Sequence, residues 1–187
     1  MGLSVNILTT PLSGLTVAET TPISDHRGAF ARLFCERELA SILEGRHIVQ
    51  INHSCTVTIG AVRGLHFQYP PYAEMKLVRC LKGRVWDVAV DLRAGSPTFL
   101  HWHGEELTPG NTRMMIIPEG FAHGFQVQEH GSELLYLHTA CYEPTAEGGV
   151  ACNDPQLGIA WPLPVQDLSH RDANHPYLPS DFSGLTL

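Results

Sequence analysis

Short apolar runs separated by glycine, proline, asparagine and aspartate dominate the chain, a pattern typical of antiparallel β-structure. Within Trp86–Asp91, apolar positions alternate imperfectly with polar ones, as in a strand that buries one face. Helical spacing of apolar residues is convincing only over Glu36–Leu43. The strands that the pattern predicts are Phe30–Phe34, His47–Cys55, Met75–Leu81, Val85–Leu92, Arg113–Ile117, Gly124–Glu129 and Leu134–Tyr142.

This succession of short strands predicts an all-β fold, closed as a barrel or jelly roll. Closure of such a barrel removes exposed strand edges and leaves a mouth for ligands. Glu36–Leu43 supplies a short N-terminal helix, and the proline-rich polar tail after Trp161 is predicted to wrap over the barrel. Because no repeat or linker divides the sequence, we expect a single jelly-roll domain over residues 1–187.

Composition narrows the function classes. The formal net charge of −7 argues against nucleic acid or an anionic membrane surface as a general partner. Five scattered cysteines without a C-x-x-C pair indicate reduced thiols rather than a disulfide framework or a zinc site. Neither a signal-peptide pattern nor an apolar stretch of membrane-spanning length is present. We therefore expect a soluble, cytoplasmic protein.

The most informative motif keeps the spacing of a cupin metal site but not its ligands. Such sites read Gly-x5-His-x-His followed by Glu-x6-Gly, and Gly60 and His66 retain the first part. The second histidine is replaced by Gln68 and the glutamate by Lys76, with Gly83 seven residues later. Since an ammonium group is a poor neighbour for a divalent cation, the motif predicts acid–base chemistry without a metal or other cofactor.

Each candidate in this motif also has an ordinary structural interpretation. His66 alone is more often a packed strand histidine, and Arg63 and Lys76 form either a cationic pocket or a solvated strand face. The only His-x-His of the chain, His101-Trp102-His103, has no carboxylate at suitable spacing, which disfavours metal binding there.

Outside the motif, further polar residues have two possible roles. Arg27 either pairs locally with Asp25 or contacts a phosphate, for which its planar guanidinium is suited. Gln50 and Asn52 alternate on one predicted strand, so they share a face that meets either solvent or a polar ligand. His123 is either a turn histidine satisfied by backbone or a second inward-facing histidine.

Several motifs in order resemble one family, the dTDP-4-dehydrorhamnose 3,5-epimerases. They are Arg63-Gly64-Leu65-His66-Phe67-Gln68, then KLVRCLKGRVWDVAVDLRAGSPTF, then IPEGFAHGF. The similarity continues through Tyr142-Glu143-Pro144, Asn153-Asp154-Pro155 and Trp161-Pro162, and it covers about residues 20 to 175.

The resemblance implies a homodimeric jelly roll that needs no metal or cofactor and converts dTDP-4-dehydro-6-deoxyglucose to dTDP-4-dehydro-L-rhamnose. Carbons 3 and 5 of that sugar flank a ketone, so their protons are acidic. His66 matches the family's general base, paired with a carboxylate that is Asp172 here. Tyr136 matches the acid on the opposite face, and Lys76 matches the amine near the ketone oxygen.

The chain differs from the family's usual residues at three positions. Arg32 stands where a glutamate usually accepts from thymine, Cys141 where a tyrosine is usual, and Arg171 where a lysine is usual. These departures leave open a C3- or C5-mono-epimerase of a dTDP- or CDP-linked sugar, or a non-catalytic sugar-binding cupin. The substrate-binding residues that the resemblance implies are Arg27, Arg32, Gln50, Asn52, Arg63, Lys76, His123, Glu147 and Arg171.

Overall fold

The computed structural model describes residues 4–187, and most of the regular structure is strand. The strands are β1 Val5–Thr9, β2 Thr16–Thr20, β3 Ile23–Asp25, β4 Gly28–Phe30, β5 Gln50–Thr56, β6 Val62–Gln68, β7 Lys76–Lys82, β8 Val85–Asp91, β9 Trp102–Leu107, β10 Arg113–Ile117, β11 Phe121–Val127, β12 Ser132–His138 and β13 Glu147–Gly149. The helices are α1 Ala40–Leu43 and α2 His170–Ala173, with a 3₁₀ turn over Pro144–Ala146.

Two antiparallel sheets face each other as a jelly roll. The six-stranded sheet has the order β1-β2-β10-β7-β12-β5, and the five-stranded sheet has the order β13-β6-β11-β8-β9. Apart from β1–β2 and β8–β9, neighbouring strands in the two sheets are not consecutive in sequence, as in β7 between β10 and β12. The predicted all-β jelly-roll class is confirmed.

Every second side chain along the strands points inward, and these side chains fill the space between the two sheets. On β7, Val78 and Cys80 point inward and pack with Phe125 and Leu134 in the interior core, whereas Leu77 packs outside. The polar residues at the ends of these same strands therefore face the interior too, where the core gives way to an open mouth.

The outer faces of both sheets are covered by chain that is not strand. Leu39 and Leu43 of the α1 region pack on the outside of the six-stranded sheet. Leu157, Leu178 and Leu185 of the C-terminal segment pack on the outside of the five-stranded sheet. The tail thus wraps over the barrel as predicted, which places residues around α2 beside the mouth.

Most predicted strands are present with shifted ends, and one is wrong. Arg113–Ile117 has the predicted bounds, and α1 is shorter than the predicted Glu36–Leu43. Of the predicted strand Phe30–Phe34, only Phe30 lies in a strand, as the last residue of β4. Residues 31–34 are not strand, because the chain leaves the short β3–β4 hairpin at Phe30. Sequence patterning missed six strands, namely β1, β2, β3, β6, β9 and β13.

The β3–β4 hairpin pairs with neither large sheet among residues 4–187 and is exposed along its whole length. Ile23 and Phe30 are 48% and 67% exposed. Over the same described range, the helices are all too short or too polar to cross a membrane.

Candidate active site

A cavity of about 570 Å³ opens between the two sheets at the mouth of the barrel. Its volume lies within the usual range for small-molecule sites. The lining residues come from both sheets and from the C-terminal segment: Gln50, Ile51, Asn52, His53, Ser54, Arg63, His66, Phe67, Gln68, Glu74, Lys76, His123, Phe125, Tyr136, His138, Tyr142, Glu147 and Arg171.

One wall of the cavity is built by β5, β12 and β7. Tyr136 lies opposite Asn52 on β5, and the next inward position, His138, lies between Gln50 on β5 and Lys76 on β7. Because inward positions recur every second residue, the strand alternation alone delivers these polar groups to one face.

The facing wall is built by β6, β11 and β13. His66 and His123 are direct cross-strand partners, and Glu147 lies opposite Gln68. Between these positions the backbones approach closely: Gly64 has φ of 122°, and a Cβ there would lie 2.6 Å from Gly124 Cα. Only glycine permits this contact, which seats His66 beside β11.

His66 is held by a buried carboxylate. Its Nε2 lies 2.8 Å from Asp172 Oδ1, and the backbone N–H of Gly64 donates to the other Asp172 oxygen at 3.4 Å. Burial opposes ionisation of Asp172, but its bonds to His66, Gly64 and Ser169 outweigh burial and lower its pKa. The carboxylate is thus charged, so Nε2 carries the proton and Nδ1 holds the lone pair.

Two further side chains surround this pair. Arg171 donates twice to Glu147, at 2.9 and 2.8 Å, and its NH2 lies 3.4 Å from His66 Nε2. The His175 ring stands edge-on to the His66 ring, with centroids 5.3 Å apart. Burial, and then the neighbouring His66, lower the pKa of His175, which favours its neutral form.

On the opposite wall, Glu74 bridges a lysine and a histidine. Its two oxygens lie 3.1 Å from Lys76 Nζ and 2.8 Å from His138 Nδ1. The three side chains are 7%, 11% and 10% exposed, so this is a nearly buried charged group. Burial alone would raise the pKa of Glu74, but His138 and Lys76 together lower it, and the carboxylate is ionised.

The amide side chains of Asn52 and Gln50 extend the same wall beyond His138. Asn52 Nδ2 lies 3.3 Å from His138 Nε2, and Gln50 donates to Asn52 Oδ1 at 3.3 Å. The backbone N–H of Tyr142 then donates to Gln50 at 3.0 Å. Both predicted amides are therefore turned into the cavity and connected to the buried charges.

Tyr136 stands in the middle of this wall as a neutral phenol. Burial raises its pKa, and the Ser54 hydroxyl donates to its oxygen at 3.4 Å. The His123 ring lies edge-on to it at 6.1 Å, and His123 Nε2 is 2.8 Å from Asp87, whose pKa burial raises. A hydroxyl and two imidazoles thus surround the space between the walls.

The structure brings most of the predicted site residues together, but not all. His66, Lys76, Tyr136 and the predicted ligand residues on the strands line the cavity, and Asp172 lies directly behind His66. Arg27 and Arg32 lie outside this chain's cavity: Arg27 pairs with Asp25 at 2.6 Å on the exposed hairpin, and Arg32 pairs with Glu38. Cys141 is exposed and does not line the cavity.

Several polar residues of the site escaped sequence reasoning, among them His53, Ser54, Glu74, Asp87 and His138. His138 was detectable because it lies two residues after Tyr136 on the same face of β12. Glu74 was detectable because it lies only two residues before Lys76, just ahead of β7. Asp87 and Ser54 offered no such signal, since either could have been a surface residue.

At the positions where a cupin carries its second histidine and its glutamate, this chain has Gln68 and Lys76, and both side chains bind other protein groups. The Gln68 amide donates to the carbonyls of Tyr72 and Cys141 and accepts from the backbone N–H of Glu143. Within residues 4–187, the ligand atoms close enough to share one metal ion belong to His66, Asp172 and His175. This group contains one residue of the old motif and two from the C-terminal segment.

Comparison with known proteins points to a single family. The model of the dTDP-4-dehydrorhamnose 3,5-epimerase family matches residues 9–180. A dTDP-4-dehydrorhamnose 3,5-epimerase of Shigella flexneri is 41% identical over 172 residues, which cover 91% of this chain and 94% of that protein. A dTDP-4-dehydrorhamnose 3-epimerase of Streptomyces niveus is 39% identical over 165 residues, which cover 87% of this chain and 79% of that protein.

A solved structure shares the fold over nearly the full length. The dTDP-6-deoxy-D-glucose-3,5-epimerase of Legionella pneumophila Philadelphia 1, in complex with dTDP-4-keto-L-rhamnose, is 38% identical and gives a TM-score of 0.89. The matched region covers 98% of this chain and 99% of that one.

Proposed function

The chain belongs to the dTDP-4-dehydrorhamnose 3,5-epimerase family, and from this premise we propose that it inverts carbons 3 and 5 of dTDP-4-dehydro-6-deoxyglucose. The product is dTDP-4-dehydro-L-rhamnose, and the chain acts as an isomerase. Each inversion removes a proton from a carbon beside the ketone and returns one to the opposite face.

The observation that carries this proposal is the placement of base and acid on facing walls. His66 belongs to the five-stranded sheet, whereas Tyr136 and Lys76 belong to the six-stranded sheet. A sugar ring between the sheets therefore meets an imidazole on one face and a phenol on the other. Inversion of a stereocentre requires this arrangement.

We assign proton abstraction to His66. The Asp172 carboxylate holds the proton on Nε2, so Nδ1 keeps the lone pair that takes the proton from the sugar carbon. The imidazolium that forms is then stabilised by the charged carboxylate 2.8 Å away. Asp172 is a positioning residue, because it acts through His66.

The negative charge left by that proton moves to the ketone oxygen. We assign its stabilisation to the Lys76 ammonium, which Glu74 fixes in the cavity wall. A positioned donor of this kind contributes roughly 10²–10³-fold in rate, because it favours the enolate over the neutral ketone. The amides of Asn52 and Gln50 line the same wall and would orient the sugar.

Tyr136 returns the proton on the other face. Since burial raises its pKa, the phenol stays protonated and ready to donate at neutral pH. The Ser54 hydroxyl stabilises the phenolate that results. His66 then releases its extra proton to solvent and Tyr136 regains one from solvent, which resets both groups. The cycle needs no redox step.

The test is proton exchange in deuterated water with dTDP-4-dehydro-6-deoxyglucose, followed by NMR. We expect deuterium at both C3 and C5, and His66→Asn should abolish labelling at both carbons. His103→Asn is the matched control, because His103 lies on β9 outside the cavity and pairs with Glu105. Undiminished labelling by a folded His66→Asn protein would rule out His66 as the base.

A mono-epimerase is the second candidate function. Its support is the 39% identity to a dTDP-4-dehydrorhamnose 3-epimerase. Deuterium at C3 alone would establish it, and folded protein that binds the sugar without labelling would indicate a non-catalytic cupin. Comparing deuterium exchange on the dTDP-linked and CDP-linked sugars tests the role of Arg32. Exchange on the dTDP-linked sugar that equals or exceeds exchange on the CDP-linked sugar would refute a changed preference for the nucleotide base.

We also propose a homodimer in which the β3–β4 hairpin reaches the cavity of the second copy. Arg27 is 79% exposed at its tip, away from its own cavity. Ile23 and Phe30 on the hairpin are exposed, and so is Ile51 on β5, the edge strand of the six-stranded sheet. An exposed strand edge that carries an apolar side chain such as Ile51 is normally covered by protein, and a second copy would cover it.

Mixing two inactive variants tests this arrangement. In a heterodimer of Arg27→Ala and His66→Asn chains, a hairpin acting on the second copy leaves one complete site. Statistical mixing should then restore about a quarter of the wild-type rate. If Arg27 acts only on its own chain, no mixture regains activity, and a monomeric mass in solution would exclude the dimer.

Two predictions about the whole chain also stand as proposals. We propose that residues 1–187 form one domain, because the C-terminal segment packs into the outer layer of the five-stranded sheet. We propose a cytoplasmic location, since each of the five cysteines, all within the described range, is a free thiol.

A further inference from the structure

We propose that His66, Asp172 and His175 form a zinc-binding site, and that zinc bound there switches off the base. The metal site is independent of the proposed function, whereas its inhibitory effect depends on that function. The zinc would be an inhibitor, with no part in the catalytic cycle.

The donor set and its spacing suit zinc. Each side chain offers one ligand atom, and the three atoms lie within 4.8 Å of one another. Two imidazole nitrogens and a carboxylate oxygen are ligands that zinc prefers, and three protein ligands leave one position for water. Ligand atoms about 2.1 Å from a tetrahedral zinc lie about 3.4 Å apart. His175 Nε2 is 3.5 Å and His66 Nε2 is 2.8 Å from Asp172 Oδ1.

His175 supplies the independent evidence for a ligand. Its side chain is only 10% exposed, and its Nε2 is buried without a hydrogen-bond partner among residues 4–187. The ring cannot easily turn away, because it lies against Gly149, where a Cβ would come within 2.1 Å of it. A buried polar nitrogen is normally satisfied, so a nitrogen fixed toward Asp172 points to a bound group.

Arg171 is the cation that opposes metal binding. Its NH2 lies 3.4 Å from His66 Nε2 and its Nε lies 3.7 Å from Asp172 Oδ1. However, the side chain is 53% exposed, and Glu147 compensates its charge at 2.8 Å. The guanidinium can therefore move toward solvent, and its removal should strengthen zinc binding.

Zinc bound at this position would change which ring nitrogen of His66 carries the proton. In the free protein the neutral imidazole carries its proton on Nε2. Zinc takes the lone pair of Nε2, so the single proton of the neutral ring moves to Nδ1. The lone pair that should accept the sugar proton is then absent, and abstraction stops at both carbons.

The experiment is titration of the full chain, without a polyhistidine tag, with zinc chloride in a calorimeter. We expect one zinc per chain. His175→Asn should weaken binding by at least about tenfold, since loss of an outer partner alone costs that much. His170→Asn is the matched control, because His170 is the first residue of α2, five positions before His175, and is exposed and outside the ligand group.

Two measurements keep the proposal testable if His175→Asn folds poorly. X-ray absorption of the zinc-loaded wild-type protein should show two imidazole ligands. Arg171→Gln should bind zinc more tightly than the wild type, an effect that misfolding does not produce. Saturating zinc should also suppress deuterium exchange in the wild type, and His175→Asn should resist it relative to its own zinc-free rate.

Three results would overturn the inference. Absence of stoichiometric binding, or equal affinity in a folded His175→Asn protein, would remove the metal site. Full exchange activity in wild-type protein with zinc bound would remove the inhibition. A preparation that binds zinc but exchanges no protons even without metal would instead refute the proposed function.

Discussion

Replacement of Glu74 by glutamine tests how the cavity keeps a lysine charged. Glu74 is the only carboxylate of the described chain that contacts Lys76, and it also accepts from His138. Glutamine keeps the shape but loses the charge, so a nearly buried ammonium is left without its counterion. Desolvation then favours loss of the lysine proton, and the ketone oxygen loses its cationic partner.

The expected magnitudes follow from burial. Removing one partner of a buried ion pair costs about 3–5 kcal/mol, and because glutamine can still accept one bond we expect about 3 kcal/mol. At about 2–4 °C per kcal/mol for a chain of this size, the melting temperature should fall by about 6–12 °C. The epimerisation rate should fall by roughly 10²–10³-fold, the usual contribution of one positioned donor to a developing oxyanion.

The chain offers a matched control at its surface. Glu133 also bridges a lysine and a histidine, with Lys82 at 3.3 Å and His53 at 3.1 Å. Here the lysine is 65% exposed and the histidine 52% exposed, so water replaces the carboxylate at little cost. Glu133→Gln should therefore leave melting temperature and rate nearly unchanged.

The pH dependence of stability gives a second readout. Because the folded-state pKa of Glu74 is lowered below its ordinary value of 4.5, its contribution is fully present above pH 4.5. The contribution is lost as pH falls through the folded-state pKa. The stability difference between wild type and Glu74→Gln should thus be largest near pH 7 and shrink in acid. A difference independent of pH, or no larger than that for Glu133→Gln, would refute the reasoning.

Three further predictions concern the proton path. Asp172→Asn should lower the rate by roughly 10³–10⁴-fold with only a small change in KM, because the amide favours the wrong His66 tautomer; a tenfold loss or less contradicts this. Tyr136→Phe should stop inversion but retain deuterium exchange without inversion, since His66 can return the proton to its own face; NMR of the recovered sugar distinguishes these outcomes. Burial raises the pKa of Tyr136 above its ordinary value of 10.0, and the protonated phenol is the form that acts as the acid. Loss of the Tyr136 proton should therefore not lower the epimerisation rate at any pH below 10.

The all-β jelly roll was predictable because strand patterning repeats along the whole chain and the cupin spacing lies within it. The individual strand ends were less predictable. Phe30 to Phe34 has the composition of a strand, yet β4 stops at Phe30, because within the described part of the chain it pairs only with the three-residue strand β3. Local composition does not report how long a partner strand is.

The site could be predicted where two residues share a strand, and less where the fold joins distant segments. Alternation alone placed Gln50 and Asn52 on one strand face, whereas the family resemblance was needed to predict that this face meets the ligand. Asp172 required the family resemblance, since 106 residues separate it from His66. His175 gave no signal, because its position depends on how the C-terminal segment packs against Gly149.

The balance of charges in the cavity supports the proposed homodimer. Of the cations in the cavity, Lys76 is compensated by Glu74 and Arg171 by Glu147. Arg63 remains; within residues 4–187 it donates to the Thr56 hydroxyl and to a backbone carbonyl, and not to a carboxylate. One guanidinium is a poor match for the two negative charges of a diphosphate, and the protein's net charge of −7 adds repulsion. The exposed ion pair of Arg27 with Asp25 is weak and easily exchanged for phosphate, so in the proposed homodimer the β3–β4 hairpin of the second copy would supply the missing positive charge.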